Sequence, residues 1–167
     1  MILTGAKEQL FSAELRQQID SWIANYPVGE SQSAVIPALH LLQDANEGWI
    51  SKEIMNALAT YLDMPAISVY EVATFYSMYD LQPVGQHKIN VCTNISCMLN
   101  GSEEIVEHLE KRLSVKLGET TADNKFTLRE VECLGACCGA PMLQLDRDYH
   151  ENLTIDKLDK ILDGVKE

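Results

Sequence analysis

The sequence is poor in basic residues and lacks the long apolar segments that carry a chain into or across a membrane. Its 13 Lys and Arg stand against 25 Asp and Glu, which gives a formal net charge of −12. Because nucleic acids and anionic membranes are bound by clustered cations, we expect neither as a partner. No apolar run approaches the ~20 residues of a membrane span, and residues 1–8 lack the features of a signal peptide. These absences predict a cytoplasmic protein that does not insert into the membrane.

Two further absences concern chemistry. No Cys-x-x-Cys motif occurs, which argues against dithiol chemistry of the kind that depends on a lowered thiol pKa at a helix N-terminus. No Gly-x-Gly-x-x-Gly motif follows a strand and opens a helix, so we expect this chain to bind no NAD. The five cysteines that are present form an odd number, and disulfides are rare in the cytoplasm. Metal or redox chemistry is therefore the leading explanation for them.

The first half of the chain has the apolar pattern of short helices. Apolar residues recur at helical spacing from residue 12 to residue 80, with interruptions at Pro27 and Pro65. One helix ends before Pro27, a second covers residues 35–48, and a third starts at Ser51. Together with a fourth helix they predict a helical N-terminal domain over residues 1–82.

The fourth helix carries several aromatic residues. Ser68 and Glu71 have the spacing of a capping box, which predicts that this helix begins at Ser68. Phe75, Tyr76 and Tyr79 then fall along one side. We interpret this aromatic stripe as the buried face of the helix rather than as a docking surface.

The second half, residues 83–167, alternates strands with helices. A connection rich in Pro and Gly precedes it, and the strand patterns are those of a half-buried sheet. The predicted elements are a strand ending at Cys92, a helix from Ser102, a strand from Phe126 to Cys133 with a bulge at Arg129, a strand from Met142 to Leu145, and a final helix capped by Thr154. The chain as a whole is predicted to be α+β.

All five cysteines lie in this second half, and four of them form two pairs that follow predicted strands. Cys92 and Cys97 have four residues between them, whereas Cys133 and Cys137 have three. Loops that follow strands can converge at one end of a sheet, so four thiolates could enclose a pair of irons there. The four histidines show no spacing typical of metal ligands.

Spacing alone leaves four interpretations of these cysteines open: an iron-sulfur cluster, a zinc site, dithiol redox chemistry and plain burial. Four thiolates also suit zinc, although zinc sites typically have two residues within a pair. Cysteines are often buried without any ligand. An iron-sulfur cluster is the interpretation that the spacing favours.

Motifs along about the whole chain resemble those of a known family, the thioredoxin-like 2Fe-2S subunit (the E subunit) of NADH-quinone oxidoreductase, or complex I. Such proteins also occur in NAD-linked hydrogenases and formate dehydrogenases. The motifs are Pro37-Ala38-Leu39, Gln43, Gly48-Trp49, Val72-Ala73-Thr74-Phe75-Tyr76, Pro83-Val84-Gly85, Cys92, Cys97, Gly101, Gly118-Glu119-Thr120-Thr121, Cys133-Leu134-Gly135-Ala136-Cys137 and Pro141.

The resemblance implies a fold, a cofactor and a partner. It implies a helical N-terminal bundle followed by a thioredoxin-like ferredoxin domain, with one 2Fe-2S cluster held by Cys92, Cys97, Cys133 and Cys137. The implied partner is the larger subunit that binds FMN and NADH and carries a 4Fe-4S cluster, within the peripheral arm of complex I on the cytoplasmic side of the inner membrane. The chain itself would then carry electrons and have no substrate site. A hydrogenase or formate dehydrogenase subunit and a zinc-stabilised assembly module are the alternatives.

Residues beside the expected ligands carry secondary predictions. Cys138 has no counterpart in the family's ligand pattern; it could replace Cys137, but we interpret it as a small residue that is either buried or placed behind the ligands. Gly135 and Gly139 would let backbone amides approach the cluster sulfurs, or serve ordinary turns. Ser96 and Thr93 could donate to a sulfur, but we expect them to bond local backbone instead.

Overall fold

The computed structural model describes residues 11–165. The N-terminal segment over residues 1–8, in which the sequence shows no signal-peptide features, lies outside this range. The chain divides into two compact units, Met1–Pro83 and Val84–Glu167. Among the described residues, no helix is long and apolar enough to cross a membrane.

The first unit is helical, as predicted. Ser12 and Ser51 cap two of its helices, since their side-chain oxygens accept from the backbone N–H of Leu15 and Ile54. The third helix therefore starts where the sequence predicted, directly after Ser51. Its helices are α1 (Ala13–Ile23), α2 (Val35–Ala45), α3 (Lys52–Leu62) and α4 (Ala66–Phe75), with a 3-10 turn at Ser31–Ala34.

One face of each helix contributes side chains to the core of this unit. Ile19, Leu39 and Leu58 are fully buried in it, and each such side chain contributes about 1.5–3 kcal/mol relative to exposure. Gln43 is also buried, and its amide donates to the Met78 carbonyl and accepts from the Asp80 N–H. That side chain fixes the segment after α4 against α2.

Two predictions about α4 are wrong. The helix begins at Ala66 behind Pro65, so Ser68 lies inside it and caps nothing. It ends at Phe75 because Tyr76 adopts an extended backbone conformation. Phe75 is 80% exposed and Tyr76 39% exposed, and only Tyr79, which lies beyond the helix, is buried.

The second unit contains a four-stranded mixed sheet in the order β2-β1-β3-β4. The strand β1 pairs in parallel with β2, and the remaining neighbours are antiparallel. The sheet and helices confirm the α+β prediction. The elements are β1 (His87–Cys92), α5 (Ile95–Leu99), α6 (Ser102–Leu113), β2 (Phe126–Val131), β3 (Leu143–Leu145), β4 (Asp148–His150) and α7 (Ile155–Gly164), with a 3-10 turn at Cys137–Gly139.

The pairing of β1 with β2 is unbroken over six residues, from His87 opposite Phe126 to Cys92 opposite Val131. The predicted bulge at Arg129 is therefore wrong. The alternation changes there because the first three residues of β2 are all buried, whereas Glu130 is exposed. Apolar side chains from the sheet, α6 and α7 form the core of this unit, among them Ile89, Val91, Leu109, Leu128 and Leu158.

Candidate metal centre

The four cysteines of the predicted site lie at one edge of the sheet. Cys92 is the last residue of β1, and Cys133 follows the end of β2 by two residues. Because β1 and β2 are parallel neighbours, their carboxyl ends meet at the same edge, and the loops that follow start side by side. This is the convergence that the spacing of the cysteines predicted.

The first loop buries its two thiols. Asn94 caps α5, whose third residue is Cys97. Cys92 is 3% exposed and Cys97 2% exposed, and both pack against the buried side chain of Met142. The short helix thus brings Cys97 back towards the strand that ends in Cys92.

The second loop holds its thiols at a distance suited to one metal ion. The Sγ atoms of Cys133 and Cys137 are 3.6 Å apart. Two thiolates on a tetrahedral ion, with metal-sulfur bonds of ~2.3 Å, lie about 3.8 Å apart. Gly135, at a φ of 81°, directs its N–H to Cys133 Sγ at 3.4 Å. A tight turn therefore places an amide beside a sulfur.

The two loops meet around Cys97, because Leu134 and Ala136 of the second loop pack against the cluster of Cys92, Cys97 and Met142. Burial, a hydrogen bond with the Cys92 side chain and the proximity of Cys92 and Cys137 together raise the pKa of the Cys97 thiol to about 11, whereas a bond with the Met142 backbone opposes the rise. Cys97 therefore lies close to a cysteine of each loop. Bringing such thiols to the anionic form requires a compensating positive charge, which a metal centre supplies.

The arrangement is one of pairs. Across residues 11–165, no three His, Cys, Asp or Glu side chains converge as the ligands of a single ion. A two-iron cluster needs two thiolates on each iron, and a mononuclear zinc site needs four around one ion. Two pairs of thiols, one from each loop, match the number of ligands that a 2Fe-2S cluster needs.

Three neighbouring predictions have clear outcomes. Cys138 is exposed, so of its two interpretations the buried one is wrong. Gly139 serves packing, because a Cβ there would collide with the Glu151 side chain. Thr93 donates to Glu130 Oε1 at 2.5 Å, a side chain 37 positions away, so the expected bond to local backbone is wrong.

Two glutamates that reach the first loop were not predicted from the sequence. Glu130 accepts from Thr93, and Glu132 Oε2 accepts from Asn94 Nδ2 at 2.7 Å. The only signal available was their position around the end of β2, immediately before Cys133.

The surface beside Cys97 is apolar. Ile95 is 67% exposed, Met98 54% and Leu99 76%, and all three belong to α5. The three side chains form a concentrated apolar surface within the first ligand loop. Exposed apolar patches of this kind mark interaction sites.

Relatives of known name match most of the chain. A protein from Rickettsia conorii, named as the E subunit of NADH-quinone oxidoreductase, is 50% identical over 144 residues, which cover 86% of each chain. The protein named mitochondrial NADH dehydrogenase [ubiquinone] flavoprotein 2 from Dictyostelium discoideum is 43% identical over 156 residues, 93% of this chain and 63% of that one. These relatives are components of NADH-oxidising enzyme complexes by name.

A solved structure shares the fold, and a family model matches most of the chain. A chain of an NAD+-reducing NiFe hydrogenase in the air-oxidised state superimposes with a TM-score of 0.66 at 19% identity, over 77% of this chain and 22% of that chain. At this identity the likeness establishes a shared fold. The model of the thioredoxin-like 2Fe-2S ferredoxin family matches residues 19–166. The chain therefore belongs to the thioredoxin-like 2Fe-2S ferredoxin family, as its motifs indicated.

Proposed function

We propose that this chain is the electron-carrying subunit of an NADH-quinone oxidoreductase and that Cys92, Cys97, Cys133 and Cys137 hold one 2Fe-2S cluster. The observation that carries the proposal is the meeting of two thiol pairs at the carboxyl ends of two parallel strands. The 50% identity to the Rickettsia conorii protein supports the complex to which we assign it. The likeness to a hydrogenase chain, at 19% identity, supports only the fold.

A bound 2Fe-2S cluster supplies reversible one-electron transfer, and with four thiolates its potential falls in the low range, near about −400 mV in plant-type ferredoxins. The chain's own residues set where in that range it lies. The backbone amide of Gly135 donates to Cys133 Sγ, and a Met142 backbone bond reaches Cys97. Such bonds favour the more negative reduced state and raise the potential.

The partner in this proposal is the subunit that binds FMN and NADH and carries its own 4Fe-4S cluster. This chain has no dinucleotide motif, so hydride chemistry belongs to that partner. The α5 surface of Ile95, Met98 and Leu99 lies in the same loop as two proposed ligands. Burying it against the flavin subunit would exclude water and bring the cluster close enough for electron exchange.

The helical domain, which we place at residues 1–82, contributes to assembly in this proposal. It exposes Ile67, Phe75, Tyr76 and Met78 around α4. Contacts of this unit with other peripheral-arm subunits would hold the complex on the cytoplasmic side of the inner membrane. The isolated chain would carry electrons without turning over a substrate.

Electron delivery by NADH tests the proposal. The protein with its cluster is mixed with NADH, alone and in complex with the FMN-containing subunit, and the reduced cluster is detected by low-temperature EPR. We expect a signal only in the presence of the flavin subunit. Reduction by NADH without that subunit, or no reduction in the complex although the measured potential of the cluster lies above that of NADH, would contradict the assigned role.

A further inference from the structure

The two ligand loops are joined by side-chain hydrogen bonds that the spacing of the cysteines does not require. Thr93, next to Cys92, donates its hydroxyl to Glu130 Oε1 at 2.5 Å. Asn94 donates its amide to Glu132 Oε2 at 2.7 Å. Both glutamates lie around the end of β2, and Glu132 precedes Cys133. The bonds therefore run from the loop of one thiol pair to the base of the other.

Asn94 connects this link to a ligand. Its Oδ1 accepts from the N–H of Ile95 at 2.9 Å and so caps α5, while its Nδ2 is held by Glu132. Cys97 lies within α5, so the orientation of the helix that carries this thiol depends on Asn94. Glu132 thus acts on Cys97 through one intervening side chain.

Both links are charge-assisted, because the acceptors are carboxylates and the donors are a hydroxyl and an amide. A neutral glutamine could accept the same two bonds. The charge therefore has a separate effect: two negative groups beside a centre that accepts an electron oppose its reduction.

We propose that Glu130 and Glu132 are positioning residues for the cluster, an inference that rests on the proposed function. Together they clamp the loop of Cys92 and Cys97 against the base of the second loop, which keeps both thiol pairs at bridging distance. Their charges lower the reduction potential. Because the links lie at the surface, their contribution to global stability is small and their effect concentrates at the cluster.

The test separates the clamp from the charge. Glu130→Ala/Glu132→Ala removes both, whereas Glu130→Gln/Glu132→Gln keeps the acceptors and removes the charge. A matched Glu107→Ala variant removes an exposed glutamate from the middle of α6. For each cluster-loaded protein we would follow the loss of visible absorbance to an iron chelator, and measure the potential by an EPR-monitored titration.

We expect the double alanine variant to lose its cluster about 10–100-fold faster than wild type, the range typical of lost outer partners of metal ligands. The double glutamine variant should keep wild-type retention and show a raised potential, and Glu107→Ala should change neither property. Equal retention in the double alanine variant, or an unchanged potential in the double glutamine variant, would overturn the proposal. If the alanine variant fails to fold, judged by circular dichroism, the glutamine variant still decides the effect of the charge.

A double-mutant cycle on the hydrogen bond between Thr93 and Glu130 gives a second measurement. Thr93→Val breaks the bond to Glu130 without removing the carboxylate, so it should accelerate cluster loss and add nothing to Glu130→Ala. Additive effects of the two substitutions would contradict the clamp. Wild-type protein without iron and sulfide would refute the proposed function itself, and is recognised before any variant is compared.

Discussion

Replacing Gly135 by alanine should impair the cluster as well as the fold. Gly135 has a φ of 81°, where an added Cβ is strained, although no atom beyond its two chain neighbours lies within 4 Å of that Cβ. The cost is therefore one of backbone conformation, about 1–2 kcal/mol. As the loop relaxes to a negative φ, the amide leaves Cys133 Sγ, now 3.4 Å away. Losing that bond should lower the reduction potential and accelerate cluster loss.

Gly118→Ala is the matched control. Gly118 has a φ of 89°, its Cβ position is equally open, and its N–H bonds the Leu128 carbonyl away from the cysteine loops. Both variants should lose about 1–2 kcal/mol of unfolding free energy, which shifts the melting temperature by ~4–8 °C per kcal/mol in a domain of this size. Only Gly135→Ala should change the potential.

The assay combines thermal unfolding with an EPR-monitored redox titration of each protein. A Gly135→Ala protein that is destabilised but has a wild-type potential would refute the role of this amide. Equal changes of the reduction potential in both variants would show that a general loosening of the domain, and not the bond to the sulfur, changes the potential.

Three further predictions concern ligands, packing and pH. Cys133→Ala should abolish the native visible and EPR spectra, whereas Cys138→Ala should leave them nearly unchanged; the reverse would overturn the ligand assignment. Gly85→Ala should lower the free energy of unfolding, measured with denaturant, by about 1–3 kcal/mol, because its Cβ would lie 2.9 Å from the backbone at the start of β2. Gly164→Ala, in open space at the end of α7, should raise that free energy by about 0.4–1 kcal/mol. Equal effects of the two substitutions would contradict the packing argument. Burial raises the pKa of Tyr79 to about 12, whereas an unfolded tyrosine ionises at about pH 10, so the wild-type protein should lose stability between these two pH values. Tyr79→Phe loses a hydrogen bond to α2 worth ~1 kcal/mol at neutral pH, but it should lose less stability than wild type as the pH rises through this range. Parallel curves of stability against pH for the two proteins would contradict this.

Periodicity was sufficient to predict those helices and strands whose apolar face is long enough for the pattern to repeat. It predicted the helices of the first unit and the strand that ends at Cys92. It missed α5, whose five residues expose Ile95 and Leu99, and β4, which has only three residues. It also continued α4 past Phe75, because an apolar pattern does not reveal where the backbone becomes extended.

Part of the candidate site could likewise be predicted from the sequence, and part could not. Cysteines that follow strands could be placed together from sequence, since parallel strands end at one edge of a sheet. The bonds of Glu130 and Glu132 join residues 37 and 38 positions apart, and no local pattern encodes them. Cys138 is exposed within the 3-10 turn at Cys137–Gly139, a conformation that its composition did not indicate.

Iron and acid-labile sulfide, measured on anaerobically purified protein together with its EPR spectrum after dithionite reduction, test the central claim most directly. The paired thiols predict about two irons and two sulfides per chain and a spin-half signal in the reduced protein. Stoichiometric zinc without sulfide and without a signal would contradict the claim and favour a zinc-stabilised assembly module.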